Sequence, residues 1–213
     1  MTSTPTRRTR GALVAGAAAA LAVLPALPAE AAAATVTDDR FQKVSAAVAG
    51  PLEGGAEGAT FGALVDGFAF TDENGQPATA ASTDFFFGSI ECLTDSSDVD
   101  LAVDRRLSTA TLTGTTTGTC FDFETSSEST FTARFSLTWT ATGPLETERT
   151  TTRTDGTLCR TTIRTREATA TGTLTWSAPE FGIGGTGAPT SASPLLDRRD
   201  LCVTPPGSPA SAG

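Results

Sequence analysis

From Phe131 to Ala141 the residues Phe131, Ala133, Phe135, Leu137, Trp139 and Ala141 alternate with Thr132, Arg134, Ser136, Thr138 and Thr140. A period of two puts the first set on one face of a β-strand and the second on the other. The same rule returns from Ala168 to Ala178, where Ala168, Ala170, Gly172, Leu174, Trp176 and Ala178 alternate with Thr169, Thr171, Thr173, Thr175 and Ser177. Further strands are predicted at Phe61 to Phe70, Phe85 to Leu93, Val99 to Val103, Leu107 to Phe123, Leu145 to Thr154 and Thr157 to Arg166. Asp72 to Ser82 reads as loop. Asp155–Gly156 is a type I′ hairpin signal and Gly143–Pro144 a second turn, while Gly114 and Gly118 are placed to bend a long strand. Short strands with tight connections predict an all-β, antiparallel up-and-down barrel of about seven or eight strands, with a β-sandwich as the alternative.

Two segments break the pattern. Thr37, Asp38 and Asp39 resemble an N-cap and acidic first turn, followed by Phe41, Val44 and Val48 at helical spacing and by Gly50–Pro51, which predicts a short helix. From Gly182 onward Gly, Pro and Ser dominate, and Pro205 to Gly213 is expected to be disordered. The expected organisation is therefore a leader over 1–31, an N-terminal segment with the helix over 32–58, a β domain over 59–183 and a Gly/Pro/Ser-rich tail over 184–213.

The leader follows the tripartite export pattern: Arg7, Arg8 and Arg10, an apolar stretch from Gly11 to Leu27, and Ala29-Glu30-Ala31 as an A-x-A site. The apolar stretch is short for a span of about 20 residues. Thr9, Arg10 and Gly11 stand where a twin-arginine signal resembles Arg-Arg-x-Phe-Leu, so the general secretory route is expected. No Cys near the cleavage site can accept lipid, and the C-terminus has no hydrophobic tail. A secreted protein, without membrane insertion, is the expectation. The net charge is −9, and without residues 1–31 it becomes twelve basic against twenty-three acidic residues. Such a chain does not attract nucleic acid except through a local basic patch.

Four cysteines in an exported chain read as two disulfides. Their proximity in sequence pairs Cys92 with Cys120 and Cys159 with Cys202. With no C-x-x-C spacing and no His, metal ligation is the poorer reading.

The chain has no His and no Tyr, which removes Ser-His-Asp and Cys-His nucleophile activation and His-ligated metal sites. A Ser-Lys dyad would rest on the single Lys43. Paired carboxylates stay open, so a glycosidase-like secreted hydrolase is the enzymatic alternative. Trp139 and Trp176 fall on apolar strand faces, which makes them core rather than sugar platforms. No cofactor is implied. Asp95, Asp98, Asp100 and Asp104 are calcium candidates by composition, but they lack the D-x-D-x-D-G pattern and read more simply as a solvated hairpin. Asp72, Glu73, Asn74 and Gly75 read as a turn.

Twenty-six of the seventy residues from Leu107 to Trp176 are Thr. The rows Thr109, Thr111, Thr113, Thr115, Thr117, Thr119 and Thr169 to Thr175 resemble the T-x-T faces of ice-binding proteins, which implies ice or surface binding as a further alternative. High β-propensity and solubility explain the same rows. The Asp155–Gly156 turn sets a register that pairs Arg153 with Leu158, Thr151 with Arg160, Arg149 with Thr162 and Thr147 with Arg164. Arg149, Arg153, Arg160, Arg164 and Arg166 then share one face as a candidate anion-binding patch. Cys159 and Ile163 are expected to turn inward and the arginines outward. The leader, the Thr-rich alternating strands, the four Cys and the Pro-Ser tail together resemble uncharacterised secreted β-rich proteins of actinobacterial type, a resemblance that implies no activity. The functional expectation is a non-enzymatic binding protein for a small ligand or a cell-envelope polymer.

Overall fold

The computed structural model describes residues 33–72 and 74–206. The expected signal peptide lies outside the described residues, as do Glu73 and the tail from residue 207. Eleven strands follow in order: β1 (Thr35–Pro51), β2 (Thr60–Thr71), β3 (Pro77–Phe87), β4 (Ile90–Val103), β5 (Thr109–Asp122), β6 (Ser127–Ala141), β7 (Glu146–Thr154), β8 (Thr157–Arg166), β9 (Ala168–Ala178), β10 (Ile183–Ala192) and β11 (Leu195–Thr204). They form one antiparallel sheet in the order β10-β9-β6-β5-β4-β3-β2-β1-β11-β8-β7, and β10 also pairs with β1. The sheet therefore closes partly into a ring, and β11, β8 and β7 extend from β1 as a three-stranded arm.

This corrects the expected seven or eight strands and the expected N-terminal helix. Phe41, Val44 and Val48 fit helical spacing, but Val44, Ala46 and Val48 also fit period two, and all three are buried. Three partners decide between the patterns. β2 pairs along one edge of β1 from Phe41 to Pro51, while along the other edge Thr35–Lys43 pairs with β11 and Ala46–Ala49 with β10. A helix would forfeit all of these ladders. The segment from Gly184, expected as a tail, supplies β10 and β11. Glycine suits β10 because Gly185 and Gly187 lie against the Phe61 ring and the backbone of β1, where a side chain would collide. The expected loop at Asp72 to Ser82 is shorter, since β3 begins at Pro77.

The ring interior is filled. At one end Trp176 packs on Phe85 at 4.6 Å, Phe87 at 5.1 Å and Phe61 at 5.5 Å between centroids. Toward the other end Trp139, Leu107, Leu112 and Leu137 are fully buried. Both tryptophans are thus core residues. The Thr rows lie on the outside, and the register aligns Thr109 with Thr140 and Thr169, and Thr111 with Thr138 and Thr171. Gly114 takes a positive φ of 142° in β5, where a Cβ would strike the Asp98 carbonyl.

The seam between β3 and β4 has a short regular ladder. Regular pairing covers only Phe85–Phe87 with Ile90–Cys92, and β4 carries a bulge between Thr94 and Ser96. Beyond it, side-chain hydroxyls replace backbone groups. Thr83 N–H donates to Thr94 Oγ1 at 2.7 Å, Thr94 Oγ1 donates back to the Thr83 carbonyl at 3.1 Å, and Ala81 N–H donates to Ser97 Oγ at 3.2 Å. Thr94→Val keeps the shape but strands the Thr83 N–H. The expected cost is about 1–3 kcal/mol, to be read from urea unfolding, and wild-type stability would mean that water serves the seam equally well.

Candidate functional site

The hairpin of β7 and β8 turns at Asp155 and Gly156 with φ of 48° and 82°, the two positive values a type I′ turn requires. The register is the expected one: Arg153 opposite Leu158, Thr151 opposite Arg160, Arg149 opposite Thr162 and Thr147 opposite Arg164. β11 continues it, placing Leu201 beside Arg160, Arg199 beside Thr162 and Asp197 beside Arg164. β1 completes the row with Asp38 beside Leu201 and Arg40 beside Arg199.

The expected direction of this face needs correction. Along β1 the residues Asp38, Arg40 and Gln42 share a face with the buried Val44, Ala46 and Val48. On β11, Asp197 and Arg199 share one with the buried Leu195. The arginines therefore lie on the continuation of the ring's interior face, and Cys159 and Ile163 lie on the opposite one. The reason is that β1 and β11 are common to arm and ring, so the inward side set by Val44 and Leu195 carries along the arm by alternation.

The result is an open cleft of about 1100 Å³ lined by Asp38, Arg40, Arg105, Arg149, Thr151, Arg160, Thr162, Arg164, Asp197, Arg199 and Leu201. Six arginines stand against two aspartates, a local surplus of four positive charges on a chain of net charge −9. Three of the expected patch residues, Arg149, Arg160 and Arg164, line it. Arg153 shares the face but stands beyond the cleft, at the end of a row with Leu158, Val203 and Val36. Arg166 turns away to donate to the Gly143 carbonyl at 2.7 Å and the Arg106 carbonyl at 3.4 Å, which clips the arm to two connections. Arg40, Arg105 and Arg199 were not among the expected residues.

The aspartates are committed to arginines. Asp197, only 5% exposed, accepts from Arg40 Nε at 2.7 Å and from Arg164 Nη1 at 3.3 Å. Asp38 takes both Nε and Nη2 of Arg199. The hydrogen bonding from Arg199, helped by the charges of Arg199 and Arg40, holds the Asp38 carboxyl below the usual carboxylate range against the opposing effect of desolvation. Among the described residues no carboxylate pairs with Arg105, Arg149 or Arg160. Two like charges about 7 Å apart repel by only about 0.6 kcal/mol in water, so the face is tolerable while wet. It becomes costly once water is displaced by anything but an anion.

No family model, curated protein or solved structure gives a significant match to this chain. The remaining candidates are placed by geometry alone. Asp95 accepts from Thr119 Oγ1 at 2.8 Å, and Asp98 and Asp100 stand exposed on β4 beside Thr115 and Thr113. Asp104 closes the β4–β5 connection by accepting from Ser108 Oγ at 2.6 Å. Among the described residues no three acidic side chains converge on a metal position, so the structure does not bring the calcium candidates together. The opposite end of the ring carries exposed Phe86 and Phe123 around a shallow pocket of about 220 Å³. No helix among the described residues is long and apolar enough to cross a membrane.

Both disulfides link residues directly opposite each other, Cys92 with Cys120 across β4–β5 and Cys159 with Cys202 across β8–β11. The second staples the wall of the cleft.

Proposed function

We propose that this is an exported, disulfide-stapled binding protein whose arginine cleft takes an anionic ligand, such as a charged cell-envelope polymer. In this reading the partly closed ring acts as a small eight-stranded barrel, a rigid support, and the arm is the recognition surface. The observation that carries the proposal is the surplus of four positive charges gathered in one concavity of an acidic chain. Guanidinium groups suit this role because their planar donors match carboxylate, phosphate and sulfate oxygens.

The glycosidase alternative is less well supported. Such an enzyme needs a carboxyl kept protonated near neutral pH to act as general acid. Both cleft carboxylates are instead bound by guanidinium groups, and for Asp38 the hydrogen bond from Arg199 holds the carboxyl below the usual carboxylate range. Ice or surface binding through the Thr rows has the aligned register in its favour, while the twist of a closing sheet opposes a flat array.

The arginines divide into two groups, and a mutagenesis series can separate them. Arg149→Gln with Arg160→Gln removes charges that hold no carboxylate. The expected result is a clear fall in salt-dependent retention on a polyanion matrix with a stability change within about 0.5 kcal/mol. Arg164→Gln takes one partner from the buried Asp197 and should cost about 1–2 kcal/mol by thermal or urea unfolding. Retention that survives the double substitution would eliminate the cleft as the binding surface.

A further inference from the structure

Thr162 has an unusual position in the cleft. The register sets Arg149 of β7 directly opposite it on one side and Arg199 of β11 directly opposite on the other. Arg160 and Arg164 lie two residues away along β8 in each direction, on the same face. All five residues line the one cleft. Directly opposed positions stand about 5 Å apart and i, i+2 positions about 7 Å apart. The backbone positions of four arginines thus surround that of Thr162, each close enough for an arginine side chain to reach a point above it.

We infer that Thr162 marks the seat of a tetrahedral oxyanion ester, a phosphate or sulfate monoester group, held by Arg149, Arg160, Arg164 and Arg199. This deepens the proposed anion-binding function and rests on it. Two of the four guanidiniums are anchored, Arg164 by Asp197 and Arg199 by Asp38, so part of the ordering entropy is already spent before a ligand arrives. Arg149 and Arg160 have no protein partner among the hydrogen bonds of the described residues and supply the free donors.

The number and directions of the donors select the class of anion. The cleft itself shows what satisfies a carboxylate: Asp38 is taken by the fork of Arg199, and Asp197 accepts one bond from each of two arginines, Arg40 and Arg164. A planar carboxylate seated over Thr162 would engage one or two arginines, as Asp38 and Asp197 do, and leave the remaining guanidiniums without an acceptor. A phosphate or sulfate ester presents three terminal oxygens in three directions and accepts from several guanidiniums at once. The Thr162 hydroxyl, beneath the centre, adds a donor to one of those oxygens. The cleft is open, so the organic portion of the ester projects outward and is not selected by these residues.

The test compares three sugars that differ at one carbon, glucose 6-phosphate, glucose 6-sulfate and glucuronate, by calorimetry at low ionic strength on the intact protein. At least one ester should bind at least about tenfold more tightly than glucuronate, and the two ester arms identify which oxyanion is preferred. Arg149→Gln and Arg160→Gln should each weaken ester binding about tenfold, and Thr162→Val several-fold. Arg134→Gln, on the outer face of β6, should leave it unchanged. Melting temperatures of all four variants check that they are folded. Equal binding of glucuronate, or ester binding indifferent to the Arg149 and Arg160 substitutions, overturns the inference. If the esters fail but retention on the polyanion matrix persists, the inference falls alone. If neither binds, the proposed function falls with it.

Discussion

Trp139→Ala is expected to lower the free energy of unfolding by about 3–5 kcal/mol, measured by urea denaturation followed by far-UV circular dichroism. The side chain is fully buried, so truncation removes its transfer free energy and leaves a cavity between the walls of a closing ring. It also removes a long-range tie. Trp139 Nε1 donates to the Ser45 carbonyl at 3.0 Å, joining β6 to β1 across 94 residues of chain. The Ser45 carbonyl accepts from the Ser193 N–H as well, at 3.1 Å, so Trp139→Phe should cost less, about 1–3 kcal/mol. A Trp139→Ala variant as stable as the wild type would contradict the packing of the ring.

The second large effect concerns the two disulfides, which should not behave alike on reduction. Their sequence separations of 28 and 43 residues give similar chain-entropy contributions, about 4 kcal/mol each in that model. Access differs. Cys92 and Cys120 are fully buried, whereas Cys159 and Cys202 are half-exposed. A mild reductant should therefore open the Cys159–Cys202 bridge first, as followed by mass spectrometry after alkylation. With that staple gone the outer part of the arm is the first candidate to open, because all nine residues of β7 are exposed and local opening favours regions with few buried contacts. Retention on a polyanion should fall at this stage while the near-UV signal of Trp139 and Trp176 persists. Loss of both signals together would show instead that arm and ring unfold as one unit.

The half of the chain with strong alternation was legible from its residues. β7, β8 and β9 lie within a residue of their expected bounds, β6 begins four residues before its expected start at Phe131, and the Asp155–Gly156 turn fixed the β7–β8 register. Both cysteine pairs match sequence proximity, because each joins directly opposed residues. β1 was not legible. Its Val and Ala positions satisfy a helical period and a strand period alike, and the choice rests on partners far away in sequence. β10 and β11 were hidden by composition, since Gly, Pro and Ser read as tail until the close approach of Gly185 and Gly187 to β1 and Phe61 gives the glycines a use.

Half of the cleft arginines were missed for the same reason. Arg40 and Arg199 sit on β1 and β11, and Arg105 on a connection, so a reading confined to the β7–β8 hairpin could not gather them. A signal was present: Leu195, Asp197, Arg199 and Leu201 alternate with Leu196, Arg198 and Asp200. Its polar content disguised a strand whose inward face is itself charged. The inward direction of the arm was equally out of reach, because it follows from which strands the arm shares with the ring.

The seam at β1 has a consequence for how the molecule is made. Of the described strands, the first, β1, pairs along one edge with the last two, β10 and β11. A chain emerging at about 5–20 residues per second can form the β2–β6 meander early, but the joint that closes the ring waits until the C-terminal segment has left the ribosome. Until then that edge of β1 stays unpaired, and pairing over so long a sequence separation is intrinsically slow. Such a delay leaves the ring open through most of synthesis, and it makes truncation of β10 and β11 a defect of β1 as much as of the strands removed.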